Sequence, residues 1–234
     1  MYSYTYETRY GDYKDFNTIK KGAVLDIIQD VSTKCSSECG FGIFEMKSMN
    51  KAWLLKGVNI HFCDNVKTLS PITAETAVKP LKGATSHRCC RLYQDNKLKV
   101  KSIAEWFLFD TEKLRPVRIP PELADAYEVA DFDDDFFVYR KAEISSDADI
   151  LYSVRVANKD IDTNRHLNNQ KSADMLMDAL PYDFEFNNIN ILYRKPAYLG
   201  DELDVCVKKT DYGYYVHLQT KEKEICVIGN FSIK

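Results

Sequence analysis

The chain has 234 residues, of which 45% are hydrophobic and 29% charged, and its formal net charge at pH 7 is -3. This size predicts one large folded domain or two small ones, and the negative charge disfavours nucleic acid, which usually binds to a strongly basic face. There is neither an apolar run of about 18 residues for a membrane span nor a signal peptide at the start, so we expect a soluble, cytoplasmic protein.

Cysteine usage and the acidic segments disfavour a disulfide-stabilised or metal-binding protein. The seven cysteines cannot all pair within the chain, and no CxxC pair occurs, so we expect reduced thiols in a reducing compartment. The acidic run DFDDD at 131–135 has no second ligand cluster, which favours a solvated surface over a metal site. We therefore expect no metal ion and no cofactor.

In the first half, a strand, a helix and several strands follow one another. Residues 2–9 alternate aromatic and polar side chains, which predicts a half-covered strand. From about Thr18 the apolar residues recur at helical spacing, and Gly40 and Gly42 provide a stop. The helical stripe consists of Val24, Ile27, Ile28, Val31 and Cys35. Strands are predicted at 51–63, 72–80, 85–94 and 99–110, with a hairpin turn at Asp95-Asn96.

The composition changes in the middle of the chain, where proline and acidic residues accumulate. We interpret residues 119–149 as a linker between an N-terminal domain at 1–118 and a C-terminal domain at 150–234.

The second half repeats the order of the first. A strand at 150–156 leads through a polar cluster to a helix of about a dozen residues, and further strands follow. The helices themselves are similar, with DIIQD at 26–30 beside DMLMD at 174–178. Matched element order together with this similarity predicts an internal duplication.

Each half places one long helix after the first strand of an antiparallel sheet, and that helix must bury its apolar stripe on the sheet. We therefore predict an α+β fold of two tandem hotdog domains, each an antiparallel sheet wrapped around a central helix. A two-sheet barrel of the lipocalin type is the alternative, but it leaves the two helices unexplained.

The polar stretch NKDIDTNRHLNNQ at 158–170 is the strongest functional signal in the sequence. Its simplest interpretation is a solvated loop whose Asp and Asn residues form turns and a helix cap. However, Asp162, Asn164 and His166 recur at every second position just before a predicted helix. This pattern also suits an active-site loop.

The string DIDTNRHLNNQK resembles a motif of the acyl-acyl carrier protein (ACP) thioesterase family, and the chain is similar to a bacterial member over nearly its whole length. The motif positions are Asp162, Asn164, His166, Leu167, Asn168, Asn169 and Lys171. Further segments that resemble the family are KAWLLKGVNIHF with Trp53, KGATSHR, AEWFLFDTEKLRPVRIP and YRKPAYLGDEL. The resemblance implies hydrolysis of fatty acyl-ACP, with release of free fatty acid and an end to chain elongation.

This resemblance also implies the roles of the motif residues. His166 is the expected general base, Asp162 orients a side chain or stabilises an imidazolium, and Asn164 donates to the carbonyl or holds the water. The helix beginning near Asn168 or Asn169 offers unpaired N–H groups for the developing oxyanion. Lys171 and Trp53 are expected to bind substrate, with Trp53 in an acyl pocket formed by the first domain.

Two features limit the inference from the motif. The first half has no histidine in its corresponding stretch GDYKDFNTIKKG, so one active site per chain is expected. In plant-type members a Glu-Cys pair follows the Tyr-Arg of the strand after the second helix, whereas Pro196 and Ala197 stand there in this chain. The remaining histidines, His61, His87 and His217, lie in strand-like runs without carboxylate neighbours and are expected at core or surface positions.

Other functions remain open on the sequence alone. The missing carboxylate favours a non-catalytic acyl-thioester-binding hotdog protein, and an acyl-CoA thioesterase is a further alternative. A hotdog hydratase is disfavoured because its Asp-x-Asn-Pro-x-His run requires a proline that is absent here. An acidic carrier protein predicts a basic docking patch, with candidates Arg165, Lys171, Arg194 and Lys195. We expect a monomer or homodimer, and chain-length preference is not predicted.

Overall fold

A computed structural model describes residues 1–81, 83–130, 132, 134–145 and 147–233. The chain forms two compact units. The first comprises Met1–Lys56 and Ile60–Tyr139, and the second comprises Arg140–Lys234 with Gly57–Asn59. Of the segment 119–149, the part up to Tyr139 therefore belongs to the first unit and the remainder to the second.

The described residues form four α-helices and eleven strands. The helices are α1 (Lys21–Glu38), α2 (Ile43–Ser48), α3 (Pro121–Ala126) and α4 (Asn169–Asp178). The strands are β1 (Tyr2–Tyr6), β2 (Lys51–Phe62), β3 (Ile72–Val78), β4 (Thr85–Gln94), β5 (Lys97–Asp110), β6 (Arg115–Pro116), β7 (Asp149–Arg155), β8 (Asn188–Tyr193), β9 (Glu202–Thr210), β10 (Gly213–Thr220) and β11 (Ile225–Ser232). The predicted long helices and strands are confirmed, whereas α2, α3 and β6 were not predicted because they are too short for a periodic signal.

In the first unit, hydrogen-bonded strands follow the order β1-β3-β4-β5-β2, with β6 paired to β5. Helix α1 packs on β1 and β3 and buries Val24, Ile28 and Val31. Just after its end Gly40 lies in the left-handed region with φ +77°, which provides the predicted stop. The β4–β5 turn has positive φ at both Asp95 and Asn96, as a type I′ hairpin requires.

Residues after β6 complete the core of the first unit. Leu123 and Tyr127 are buried in a cluster with Leu108 of β5, and Trp53 packs against it. Phe132 and Phe137 are buried against β3, β4 and β5, with their ring centroids 4.6 Å apart. Because these side chains remove large apolar surfaces from water, they attach residues 119–139 to the first unit.

In the second unit the strand order is β8-β11-β10-β9-β7, and every pairing along it is antiparallel. Helix α4 packs on β10 and β11 with Ala173 and Leu176 fully buried. Each unit is thus a strand, a long helix and an antiparallel sheet on which that helix packs. The predicted duplication of a hotdog unit is confirmed. Across the described residues no helix is long and apolar enough to cross a membrane.

Candidate active site

The polar stretch forms a short, closed loop between β7 and α4. It begins with a 3-10 turn at Asn158–Asp160, where the buried Asp160 accepts the N–H of Ala157 through Oδ2 at 2.9 Å. Ile161 and Leu167 then form an antiparallel bridge that closes the loop at its base. The intervening residues are therefore held in a tight turn between two paired backbone segments.

The carboxylate of Asp162 stabilises the tip of this loop. Its Oδ1 accepts the N–H of Asn164 at 2.8 Å and the N–H of His166 at 3.1 Å. The Asp162 N–H donates in turn to the carbonyl of His166 at 2.9 Å, and Arg165 adopts a positive φ of 63°. Asp162 thus acts on the backbone of the loop, as short polar side chains do in turns.

The hydrogen bonds within the loop leave the side chains of Asn164 and His166 available for other contacts. Asn164 is exposed and His166 half-buried, and neither the amide nor the imidazole hydrogen-bonds to any residue that the structure describes. The imidazole instead lies edge to face with the ring of Tyr198, at a centroid distance of 5.2 Å and an angle of 78°. Tyr198 was not predicted, and only the turn residues in YLGDEL hinted at a defined structure there.

The start of α4 supplies a backbone donor. Asn168 is the N-cap, and its Oδ1 accepts the N–H groups of Gln170 at 2.8 Å and Lys171 at 3.2 Å. The N–H of Asn169 has no hydrogen-bond partner in the described part of the chain. The Asn169 carbonyl accepts the hydroxyl of Tyr193 at 3.1 Å, which ties the first turn of α4 to β8. The unpaired N–H lies at the positive end of the helix dipole.

The basic residues named from the sequence differ in their pairing. Lys171 lies 3.6 Å from Asp174, and Lys195 forms an ion pair with Glu224. Arg165 and Arg194 are exposed and form no ion pair within the described ranges. The two arginines are therefore the less constrained cations of this set.

Trp53 lies on β2, at the edge of the apolar cluster of the first unit. It is half-buried, and its ring centroid is 6.5 Å from that of Tyr127 in an edge-to-face arrangement. Arg88 is also buried there, with its guanidinium 5.0 Å from the Tyr127 ring centroid. The predicted role of Trp53 in acyl binding stays a prediction.

The turn that replaces the plant-type Glu-Cys pair adjoins the loop. The carbonyl of Ala197 accepts the N–H of Leu167 at 2.8 Å, and Ala197 is buried whereas Pro196 is exposed. Neither of these two positions has a carboxylate side chain. Asp201, which follows, accepts the N–H of Tyr198 through Oδ2 at 2.8 Å and so stabilises the turn.

The remaining histidines lie elsewhere. His217 is buried and its pKa is lowered by burial, while His61 and His87 are half-buried on strands. His87 nevertheless has a carboxylate neighbour in the fold, since its Nε2 lies 3.2 Å from Glu105. The two residues are directly opposite in the β4–β5 register, a pairing that the sequence alone does not show. Among the described residues no group of three or more His, Cys, Asp or Glu is arranged to hold a metal ion.

The first unit contains a second loop with a similar backbone arrangement, although Asn17 there lacks the positive φ of the corresponding Arg165. It lies immediately before α1, and its residues precede those of the polar loop by 148 positions, since α1 begins at Lys21 and α4 at Asn169. A 3-10 turn at Tyr10–Asp12 matches Asn158–Asp160, and a bridge between Tyr13 and Ile19 matches the one at the base of the polar loop. The duplication therefore extends to the candidate active-site loop.

The side chains differ where the two backbones agree. Lys14, Phe16 and Thr18 occupy the positions of Asp162, Asn164 and His166, by the same offset. The hydrogen bond between N–H and carbonyl that spans the tip is 2.9 Å in both loops, from Lys14 to Thr18 and from Asp162 to His166. The hydrogen bond across the loop tip therefore does not depend on Asp162, Asn164 and His166. Within the described chain, these three residue types occur together at the loop of the second unit alone.

Models of the two domains of one enzyme family match the chain. The acyl-ACP thioesterase N-terminal domain matches residues 1–127, and the C-terminal domain of the same family matches residues 141–230. The protein is a member of the acyl-ACP thioesterase family. It is accordingly a thioester hydrolase that acts on acyl-ACP.

Solved structures of acyl-ACP thioesterases share the fold. An acyl-ACP thioesterase from Bacteroides thetaiotaomicron VPI-5482 superposes with a TM-score of 0.88 at 16% identity, covering 98% of this chain and 96% of that one. The 12:0-ACP thioesterase from Umbellularia californica gives a TM-score of 0.86 at 14% identity, covering 99% and 96%. At such identities the likeness shows the double hotdog fold. No curated protein sequence matches this thioesterase significantly.

Proposed function

We propose that the thioester is hydrolysed at the loop Asp162–His166 and the first turn of α4, with water as the nucleophile. The observation that supports this most directly is that the imidazole of His166 and the amide of Asn164 have no hydrogen-bond partner among the described residues. A general base and a hydrogen-bond donor must be free to contact substrate and water, and both side chains meet this requirement.

In the proposed reaction, His166 takes a proton from water as the water oxygen attacks the carbonyl carbon of the thioester. The carbonyl oxygen becomes negatively charged, and the Asn164 amide and the Asn169 N–H donate to it. The carbon–sulfur bond then breaks, and the imidazolium returns the proton to the carrier thiolate, which releases the fatty acid and the carrier thiol. The charge of Asp162, bonded to the same turn, stabilises the imidazolium.

A water nucleophile agrees with the residues beside the loop. Plant-type members have a glutamate where this chain has Pro196, and the nearby Asp201 is engaged with the Tyr198 N–H. The chemistry therefore depends on the general base, typically worth about 10²–10⁴-fold in rate, and on oxyanion donors worth about 3–4 kcal/mol each.

Fatty acid release from acyl-ACP, measured by mass spectrometry, tests this mechanism. His166→Ala is expected to lower kcat about 10²–10⁴-fold and Asn164→Ala about 10²-fold. Asp162→Asn retains the oxygen that accepts the two loop N–H groups and removes only the negative charge. A lower kcat in this variant therefore measures the electrostatic contribution of Asp162 to catalysis. Thr18→Ala, at the position corresponding to His166 in the first loop, is the control and should hydrolyse at the wild-type rate. Wild-type release by His166→Ala would refute the proposal.

For carrier docking we propose the basic residues around the loop. Arg165 and Arg194 are exposed and unpaired within the described residues, so they contribute most, whereas Lys171 and Lys195 already have acidic neighbours. Arg165→Glu is expected to raise KM for acyl-ACP, an effect that shrinks with added salt, and to leave KM for a small uncharged thioester of the same acyl chain unchanged. Equal effects on both substrates would contradict this docking role.

We further propose that Trp53 forms a wall of the acyl pocket and that the enzyme functions in the cytoplasm as a monomer or homodimer. The seven free thiols, five of them buried, suit a reducing compartment. Trp53→Ala should shift the preferred acyl length, and an unchanged length profile would contradict this role. Light scattering reports the oligomeric state.

A further inference from the structure

The turn at 197–201 is hydrogen-bonded to both ends of the active-site loop. At the end of the loop, the N–H of Leu167 donates to the carbonyl of Ala197 at 2.8 Å. At its beginning, the N–H of Gly200 donates to the carbonyl of Val156 at 2.9 Å. Gly200 has φ +91°, a conformation that favours glycine. The backbone of this turn is therefore held in a defined position beside the loop.

Tyr198 projects from this turn against the catalytic imidazole. Its N–H donates to Oδ2 of Asp201 at 2.8 Å, and the Asp201 N–H donates back to the Tyr198 carbonyl at 3.1 Å. These two bonds orient the residue, and its ring meets His166 edge to face. Tyr198 is 49% exposed as a residue, so it is not placed there by burial in a core. The position of the ring beside His166 is therefore set by the backbone of the turn.

The other loop of the protein lacks this arrangement. There the N–H of Ile19 donates to the carbonyl of Val66 at 3.0 Å, as Leu167 does to Ala197. The residue that follows the acceptor is Lys67 in the first unit and Tyr198 in the second. The aromatic residue thus accompanies the loop that contains histidine.

The residue at the histidine position of the first loop is fixed in a different way. The hydroxyl of Thr18 donates to Oδ2 of Asp15 at 2.9 Å, and the N–H groups of Asn17 and Thr18 donate to Oδ1 at 2.7 and 2.8 Å. The side chain at that position is therefore fixed within its own loop. The His166 imidazole has no such bond in the described chain, so its orientation depends on a contact from outside the loop.

We propose that Tyr198 is a positioning residue for the imidazole of His166, holding the ring edge to face in the orientation that accepts a proton from water. Asp201 and Gly200 act indirectly, because they fix the turn from which Tyr198 projects. This inference rests on the general-base role of His166 proposed above. It assigns to the aromatic ring the orienting function that a carboxylate serves in many other hydrolases, since Oδ1 of Asp162 is bonded to the loop backbone.

The experiment compares kcat and KM for acyl-ACP in five variants, His166→Ala among them, that retain the thermal midpoint of the wild type. Tyr198→Leu is expected to lower kcat about 3- to 10-fold, the range for losing one edge-to-face ring contact, with little change in KM. Tyr198→Phe keeps the ring and should retain kcat within about 2-fold. Tyr182→Leu removes an 89% exposed tyrosine of the same unit and should match the wild type. His166→Ala combined with Tyr198→Leu should be no slower than His166→Ala alone.

The outcomes separate the two proposals. Wild-type activity in His166→Ala refutes the general-base role itself. If His166→Ala is impaired, any of three results overturns the positioning role of Tyr198. The first is a wild-type kcat in Tyr198→Leu, and the second is a loss of kcat in Tyr198→Phe as large as that in Tyr198→Leu. The third is an equal effect of Tyr198→Leu on kcat with and without His166. A ring that acts through the imidazole has no further effect once the imidazole is gone.

Discussion

Replacing Gly229 by alanine tests how closely α4 packs on β11. Gly229 is buried on β11, paired with Val216 on one side and Ile191 on the other. A Cβ atom there would lie 2.6 and 2.8 Å from two ring carbons of Phe231 and 3.1 Å from Cδ1 of Leu176. Contacts under 3.0 Å force a neighbour to move, so the methyl group must displace the Phe231 ring or the helix.

Two opposing effects determine the size of the change. Gly229 lies outside the left-handed region, so alanine suits its backbone and gains about 0.4–1 kcal/mol by restricting the unfolded chain. Overpacking a filled core costs about 1–3 kcal/mol. The Phe231 ring is buried and packs on Phe186 at a centroid distance of 5.3 Å, so it has little room to yield. The steric cost wins, and we expect a net loss of about 1–2 kcal/mol.

Urea unfolding measures the total loss, and native-state hydrogen exchange localises it. Protection should fall in α4 and β11, whereas β3, β4 and β5 of the first unit stay as protected as in the wild type. Gly11→Ala is the matched control, because no atom lies within 4 Å of its added Cβ and its φ is not positive. An unfolding midpoint for Gly229→Ala equal to that of Gly11→Ala would refute the close-packing argument.

Two further predictions concern single side chains. Asn168→Ala removes the N-cap of α4 and should lower the unfolding free energy by about 1 kcal/mol. Asn168→Asp keeps an accepting oxygen and should lower it by only a few tenths of a kcal/mol. Equal losses in the two variants would exclude a capping role. Hydrogen bonds from the Lys51 ammonium and the Lys113 N–H lower the pKa of Asp110 to about 2. Its stabilising effect is therefore complete above the unfolded pKa of about 4 and lost as the pH falls towards 2. The stability difference between wild type and Asp110→Asn should shrink over that range, and a constant difference would contradict the assignment.

Much of the fold was predictable from the sequence because its signals are local. The apolar stripe of α1 and the Asp95-Asn96 turn depend on residues close together in the chain, and the structure confirms both. The same holds for the duplication, since DIIQD and DMLMD occupy matching positions in α1 and α4. Local periodicity is enough to define such elements, because burial of one face follows from it directly.

The tertiary structure alone decided which side chains meet. His87 and Glu105 face each other through the strand register, and Tyr198 reaches His166 from a turn far along the chain. Their sequence spacing does not indicate contact, because register and turn placement are set by the packing of the whole sheet. The sequence also identified Asp162 without showing that one of its oxygens is occupied by backbone N–H groups. Residue types predicted the chemistry of the loop, and the folded backbone determined which of those groups remain free to act.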